Sequence, residues 1–290
     1  MKKHVKRIMA LALTFALVFA IPFAFTQEAS AASKKAKKKT AYLTTQMTST
    51  SKDESGKTTK MVKKYTYNSK GFMTKETWKQ GKENGKTVYK YNKKGYVKSL
   101  KAYTKGKLEA KTTVKMNKNG MPAVVKTYSV KGKKKTHLYT YNFVYSGKEL
   151  IKINYKDIQD KKSGTIDLKG DSVTPSDSSE AEVTTDSSSN VKYDKKGRVI
   201  EETYTDSYSE VNDQGVTETT TYTNVWKYTY NKAGKVLKET ANTTSKTTYS
   251  DGTAPKTVKT KDTYTYKYKK KKIAKNYDAI EVINLYVKYL

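Results

Sequence analysis

The chain has 290 residues and a formal net charge of +32, because 59 lysines and arginines stand against 27 aspartates and glutamates, and it contains no cysteine. These values exclude a disulfide framework and a metal site built on thiolates. Arg7 and Arg198 are the only arginines, which argues against sequence-specific nucleic-acid recognition but leaves diffuse attraction to polyanions as an available function.

Residues 1–31 have the pattern of a secretory signal peptide. Four basic residues fall within the first seven positions, the uncharged apolar run 8–25 follows, and small residues precede Ala32. We expect cleavage between Ala31 and Ala32. The alternative is an uncleaved membrane anchor, because the run is about long enough to span a bilayer. Pro22, near the end of the run, favours cleavage.

The predicted location follows from this segment. We expect a secreted protein, extracellular or associated with a cell wall, with no stable membrane insertion after cleavage. The absence of cysteine suits an exporting organism that does not depend on oxidative folding, and we therefore favour a Gram-positive source.

Charge and composition divide the remaining chain into four predicted segments. Residues 32–57 form a basic N-terminal segment, and residues 58–160 carry hairpin repeats. Residues 161–190 are acidic, rich in Ser and Thr and free of aromatic residues, which predicts a flexible insert. Residues 191–290 resume the repeats and end in an apolar stretch.

A short phrase, Tyr-Asn-x-x-Gly and its close variants, recurs through both repeat regions. Asn or Asp can accept hydrogen bonds from the backbone two residues later, and Gly adopts positive φ without strain, so the phrase predicts a tight turn. The copies are Tyr67–Gly71, Tyr91–Gly95, Met116–Gly120, Tyr193–Gly197 and Tyr230–Gly234.

Residues alternate in character on both sides of these turns, as in Tyr264-Thr265-Tyr266-Lys267-Tyr268. A period of two indicates strands with tyrosines on one face and Lys or Thr on the other. The prediction is an all-β protein: an antiparallel meander of β-hairpin repeats with roughly fourteen to sixteen strands, forming a curled sheet or an open or half barrel. The tail from Ile280 to Leu290 is interpreted as a closing strand, with a short helix as the alternative.

The candidate binding residues come from the two sorted faces. Aromatic side chains offer platforms for sugar rings, and lysines attract anions; the alternative for Trp78 and Trp226 is packing within the sheet. The candidates are Tyr65, Tyr67, Trp78, Tyr89, Tyr91, Tyr139, Tyr141, Trp226, Tyr228, Tyr230, Tyr264, Tyr266, Lys90, Lys93 and Lys94.

The segment Tyr193-Asp194-Lys195-Lys196-Gly197-Arg198-Val199 resembles the central motif of the RHS/YD-repeat family, and the other turn phrases are similar with Asn in place of Asp. The resemblance implies a secreted or surface-exposed protein, shells of β-hairpins, carbohydrate binding and wall association. Residues 67–78 are also similar, more faintly, to aromatic cell-wall-binding repeats.

Catalysis is not expected. His137 is the single histidine after residue 31 and the chain has no cysteine, so a Cys-His dyad and a zinc cluster are excluded and a catalytic triad has no histidine to spare. No cofactor or metal is predicted.

The expected function is binding of an anionic polysaccharide or wall polymer through a lysine-rich sheet face. The alternative is a structural or assembly component of the cell envelope, or an adhesin without a specific ligand, that self-associates. General nucleic-acid binding is a third and weaker interpretation.

Overall fold

The computed structural model describes residues 39–168, 188–212 and 214–289. The predicted signal peptide, its cleavage site at Ala31 and Ala32, and most of the predicted acidic insert lie outside the described residues. The described chain forms one antiparallel sheet of 15 strands and a C-terminal helix, which confirms the predicted all-β class. Within these ranges, no helix has the length and apolar character needed to cross a membrane.

Strands account for most of the described chain, and their bounds follow in chain order. They are β1 (Thr40–Lys52), β2 (Thr58–Tyr67), β3 (Met73–Gln80), β4 (Glu83–Tyr91), β5 (Val97–Thr104), β6 (Lys107–Met116), β7 (Pro122–Lys131), β8 (Lys134–Ser146), β9 (Glu149–Asp157), β10 (Ser163–Asp167), β11 (Ser188–Tyr193), β12 (Val199–Val211), β13 (Thr217–Tyr230), β14 (Val236–Tyr249) and β15 (Lys256–Lys272). The helix α1 (Tyr277–Tyr289) follows β15.

The order of strands in the sheet is a meander that starts in the middle. Strand β1 lies between β2 and β15, and their pairing runs from Thr40 opposite Lys272 to Lys52 opposite Lys261. Strands β2–β10 extend to one side and form the N-terminal arm; β15 back to β11 extend to the other and form the C-terminal arm. The ladder is open, because β10 and β11 occupy opposite edges.

The recurring phrase forms the same turn at each copy in the described chain. At Asn68, the side-chain Oδ1 accepts hydrogen bonds from the backbone N–H groups of Lys70 and Phe72, each at 3.0 Å. Gly71 has a φ of +90°, and a Cβ there would lie 2.6 Å from the Ile273 side chain, so glycine is required twice over. The same pair of side-chain bonds is made by Asn92, Asn117, Asp194, Asn212 and Asn231.

Helix α1 corrects the predicted closing strand at Ile280–Leu290. Ile280, Ile283 and Val287 recur at helical spacing and are buried together on one side of the helix. A strand in this place has no partner, because β15 already pairs with β14 on one edge and β1 on the other.

The core lies between α1 and the N-terminal arm. Val125 and Ile153 are fully buried and pack in one cluster with Ile283 and Val287. The side chain of Asn284 is also fully buried: its Oδ1 accepts from the Val97 N–H at 2.8 Å and its Nδ2 donates to the Gly95 carbonyl at 2.9 Å.

Two predicted segment boundaries need correction. The basic segment 32–57 contains β1, the central strand, so the sheet begins well before residue 58. The segment 161–190 contributes strand at both ends, because Ile166 pairs with Ile153 in β10 and Asn190 pairs with Thr203 in β11. Both boundaries were placed by charge and composition, which do not report strand pairing.

Candidate functional site

The sheet sorts its side chains between two faces. We call the face on which α1 packs the helix face; Val125 and Tyr141 point to it. The ladder registers place every aromatic candidate on this face, including Trp226 and Tyr264 of the C-terminal arm. Alternation puts Lys90 on the opposite face, between Tyr89 and Tyr91.

The aromatic candidates of the N-terminal arm are core residues, which corrects their proposed role as ligand contacts. Tyr89 and Tyr141 are only 7% and 9% exposed. Tyr65, Tyr67 and Tyr91 pack against the buried cluster around Tyr89. Burial raises the pKa of these phenols well above the usual value, as expected for hydroxyls that are not presented to solvent.

We call each of the recurring Asn- or Asp-containing turns a corner. A tyrosine that precedes a corner donates a hydrogen bond from its hydroxyl to a backbone carbonyl of the neighbouring hairpin. The Tyr67 hydroxyl donates to the Thr44 carbonyl at 2.5 Å, and the Tyr230 hydroxyl donates to the Val199 carbonyl at 2.5 Å. Tyr91 makes the equivalent bond to the Met73 carbonyl. The repeated tyrosine of the phrase is therefore a structural residue, and this role was missed from the sequence.

Two further candidates in the N-terminal arm are structural. Trp78 covers Gly85 of the next strand, where a Cβ would lie 2.5 Å from the indole Nε1. Tyr139 stacks on Tyr141 with ring centroids 6.0 Å apart. Trp78 thus packs within the sheet, the second of the two roles considered for it.

The lysine candidates near the Asn92 turn have different environments. The Lys94 ammonium donates to the Asn119 carbonyl of the next corner at 2.7 Å, and Lys70 donates in the same way to the Lys93 carbonyl at 3.0 Å. Lys94 therefore links adjacent corners. The side chain of Lys93 is exposed, as is that of Lys90.

The face opposite α1 on the N-terminal arm is dominated by lysine. The ladder positions of β2–β9 on this face carry one carboxylate, that of Glu149 beside the β8–β9 turn, and Lys101 and Lys111 lie directly opposite each other. We call this surface the lysine face. Its lysines include Lys60, Lys64, Lys75, Lys79, Lys86, Lys90, Lys101, Lys111, Lys115, Lys126, Lys135, Lys152 and Lys156.

A depression of about 560 Å³ opens on the lysine face across β2–β5. Its lining includes Lys64, Lys79 and Lys86, together with Thr77 and Tyr103. The Lys86 ammonium stands 4.9 Å from the centroid of the Tyr103 ring. The depression therefore offers convergent cationic groups, a hydroxyl and an aromatic ring, with no acidic residue in its lining.

The helix face of the C-terminal arm has the opposite charge. Helix α1 packs over β5 and β7 and leaves this region beyond its reach. Trp226 and Tyr264 stack here with centroids 6.3 Å apart, and the Tyr228 and Tyr266 hydroxyls donate to carboxylates at 3.4 Å and 3.1 Å. We call it the acidic aromatic surface; its carboxylates are Glu202, Asp206, Glu210, Glu218, Glu239 and Asp262.

The titration behaviour of this surface follows from its burial. Desolvation raises the pKa of the Glu239 carboxyl, although the hydrogen bond from the Tyr266 hydroxyl acts in the opposite direction. Burial and the charge of Asp262 raise the pKa of Tyr264 to about 12. The sequence did not reveal this surface, because only the strand registers place these carboxylates on one face.

The His137 ring lies against neighbouring groups of the sheet. The His137 ring stacks on Tyr128 at 5.0 Å, and its Nε2 lies 3.0 Å from both the Tyr139 carbonyl and the Thr140 hydroxyl. Within the described part of the chain, no three His, Cys, Asp or Glu side chains are grouped to hold a metal ion.

Comparison with known proteins returns structural neighbours alone. No family model matches the chain, and no curated protein matches it. A porin-like protein from Bacteroides uniformis ATCC 8492 is similar with a TM-score of 0.38 and 13% identity, covering 78% of this chain and 96% of that one. TcdB2-TccC3 is similar with a TM-score of 0.30 and 9% identity, covering 69% of this chain and 14% of that one.

Proposed function

We propose that this protein is an exported, non-enzymatic binding protein that holds anionic polysaccharide or wall polymers on its lysine face. The proposal is supported above all by one observation: the ladder positions of that face across β2–β9 carry many lysines and a single carboxylate, Glu149 at the edge of the array. Strands lie about 4.8 Å apart, so the lysines form a two-dimensional array and not a single pocket.

Lysine suits a polymer that presents many similar anionic groups. Its ammonium is a compact, hydrated charge on a flexible stem and imposes little geometry on a phosphate or carboxylate. Lys101 and Lys111 face each other directly, an arrangement that costs stability in an isolated sheet and that a bound anion relieves. The depression lined by Lys64, Lys79 and Lys86 is the natural centre of this array.

Salt-dependent retention on a polymer tests the proposal. Purified Gram-positive cell walls and a soluble teichoic acid are incubated with the protein in about 0.05 M and about 0.5 M NaCl, and we expect strong binding that is lost at the higher salt. Replacing Lys64, Lys79 and Lys86 together by Gln should weaken binding at low salt by about tenfold or more.

A matched variant distinguishes the effect of losing the site from the effect of losing net charge. Lys246, Lys259 and Lys261 are exposed lysines on the same side of the sheet but in the C-terminal arm, and their replacement by Gln removes the same charge. We expect this variant to bind nearly as well as the unchanged protein. Equal retention at the two salt concentrations, or equal losses in the two triple variants, contradicts the proposal.

A further inference from the structure

The carboxylates of the acidic aromatic surface are not matched by an equal number of basic side chains. In a chain with net charge +32, the basic ladder residues on the helix face of the described strands β11–β15 lie only at the two ends of β15: Lys256 at one end, and Lys270 and Lys272 at the other. None of the carboxylates of this surface forms an ion pair within the described residues.

One carboxylate oxygen is unsatisfied. Asp206 Oδ1 is buried and receives no hydrogen bond from any described residue, whereas buried polar atoms in proteins are nearly always paired. Asp206 lies opposite Tyr222, whose ring stacks on Tyr208 with centroids 5.9 Å apart. Carboxylates bordered by aromatic rings bind ammonium groups well, through ion pairs and cation–π contacts together.

We propose that the acidic aromatic surface of one copy of this chain receives the lysine face of a second copy. The two surfaces are complementary in charge: one carries many lysines and a single carboxylate at its edge, and the other carries six carboxylates with lysines only at the two ends of β15. They lie on opposite faces and in different arms of one sheet, so they cannot meet within one molecule.

The geometry makes this contact heterologous. Each copy uses one surface as donor and the other as acceptor, so a pair leaves one unused surface at each end, and further copies add head to tail. The contact shares the lysine face with the proposed function but does not depend on it, and a bound anionic polymer competes with it. Ion pairs supply much of the attraction, and salt therefore weakens it.

Sedimentation velocity of the purified exported protein at rising concentrations tests the proposal. We expect oligomers that grow with concentration in about 0.05 M NaCl and dissociate in about 0.5 M NaCl. Two variants should each stay monomeric where the unchanged protein associates: one with Glu202→Gln, Asp206→Asn and Asp262→Asn, and one with Lys64, Lys79 and Lys86 replaced by Gln.

Mixing the two variants gives the decisive measurement. The first retains an intact lysine face and the second an intact acidic aromatic surface, so the mixture should form heterodimers and nothing larger. A control with Glu54→Gln, Glu83→Gln and Asp160→Asn loses equal charge from exposed positions outside both surfaces and should associate normally. The carboxylate variant should also keep its binding to cell walls, which distinguishes this contact from the proposed function.

Three results would overturn the proposal. The first is an unchanged protein that stays monomeric at low salt. The second is a carboxylate variant that associates as the unchanged protein does, and the third is a mixture of the two variants that shows no heterodimer.

Discussion

The two arms of the sheet are stabilised in different ways. In the N-terminal arm, short strands such as β7 and β9 bury Val125, Ile153 and their neighbours beneath α1. In the C-terminal arm, β13 and β14 have 14 residues each, yet Thr220 and Ala241 are the buried side chains of the described strands β11–β15.

Backbone pairing and hydroxyl pairs take the place of a core in the C-terminal arm. Ser207 and Thr221 pair at 2.8 Å across β12 and β13, and Thr220 and Thr247 pair at 2.9 Å across β13 and β14. One hairpin phrase therefore builds two kinds of sheet: the N-terminal arm gains stability from burial, and the C-terminal arm from the length and regularity of its ladder.

Truncation of a valine should separate the arms most strongly. Val125 is fully buried, so Val125→Ala should lower the free energy of unfolding by about 2–3 kcal/mol through lost burial and a residual cavity. Val225, half-buried in β13, is the matched residue, and Val225→Ala should cost less than about 1 kcal/mol. Urea denaturation measures both; equal losses would show that the C-terminal arm has an equivalent core.

The buried amide of α1 should have the next largest effect. Asn284→Ala leaves the Val97 N–H and the Gly95 carbonyl without their partner in a buried site, at a cost of about 2 kcal/mol. Asn242, half-buried in β14, is the control in the other arm, and its replacement by Ala should cost a few tenths of a kcal/mol. A loss at Asn284 no larger than at Asn242 contradicts the proposed anchoring of the helix.

Removal of a corner hydroxyl should act similarly in both arms. Tyr67→Phe and Tyr230→Phe each remove one hydrogen bond to a backbone carbonyl and should cost about 1 kcal/mol. Tyr204 is 41% exposed, and Tyr204→Phe serves as the control with little expected change. Thermal unfolding compares the three; an effect confined to the N-terminal arm would show that these bonds matter only beside a core.

The smallest expected effect is a dependence on pH at one corner. Arg198, hydrogen-bonded and ion-paired to Asp194, lowers the pKa of that carboxyl to about 2. A lowered folded pKa stabilises the fold above the unfolded pKa and is lost as pH falls through the folded value, here from about 4 toward about 2. Asp194→Asn keeps the corner but removes the charge, so its destabilisation should be present at pH 7 and fade in acid. A difference that is constant with pH would contradict this.

Local features of the fold could be predicted from the sequence, and long-range ones could not. The Asn68 and Asn231 corners follow from residue types within five positions, and tyrosine alternation follows from the period of a strand. The pairing of β1 with β15 is between segments at opposite ends of the chain, and neither carries a local mark of its partner. The helix at Ile280–Val287 was missed because a short apolar run suits either element.

The positive charge of the candidate site could be predicted from the sequence, but the full set of residues that form it could not. The lysine face follows from alternation, as Lys90 shows. An alternation of period two assigns an aromatic side chain to a face of the sheet but does not show what covers that face. Tyr89 and Tyr141 lie beneath a helix, whereas Trp226 and Tyr264 do not, and the sequence could not separate these two groups. Asp206 and Asp262 lie on the same face because of the registers of three successive strand pairs. A bulge shifts such a register by a whole residue, so the grouping cannot be predicted from the sequence.

The position of β1 between β2 and β15 sets the order in which the molecule can be completed. The first strand of the sheet keeps one edge unpaired until the last strand has been synthesised, and closing so long a loop is slow because its entropy must be overcome before any contact forms. Helix α1 arrives later still, and it covers the core. If the chain is exported as proposed, assembly finishes after translocation has ended, and a product truncated before β15 leaves the edge of β1 free to recruit other chains.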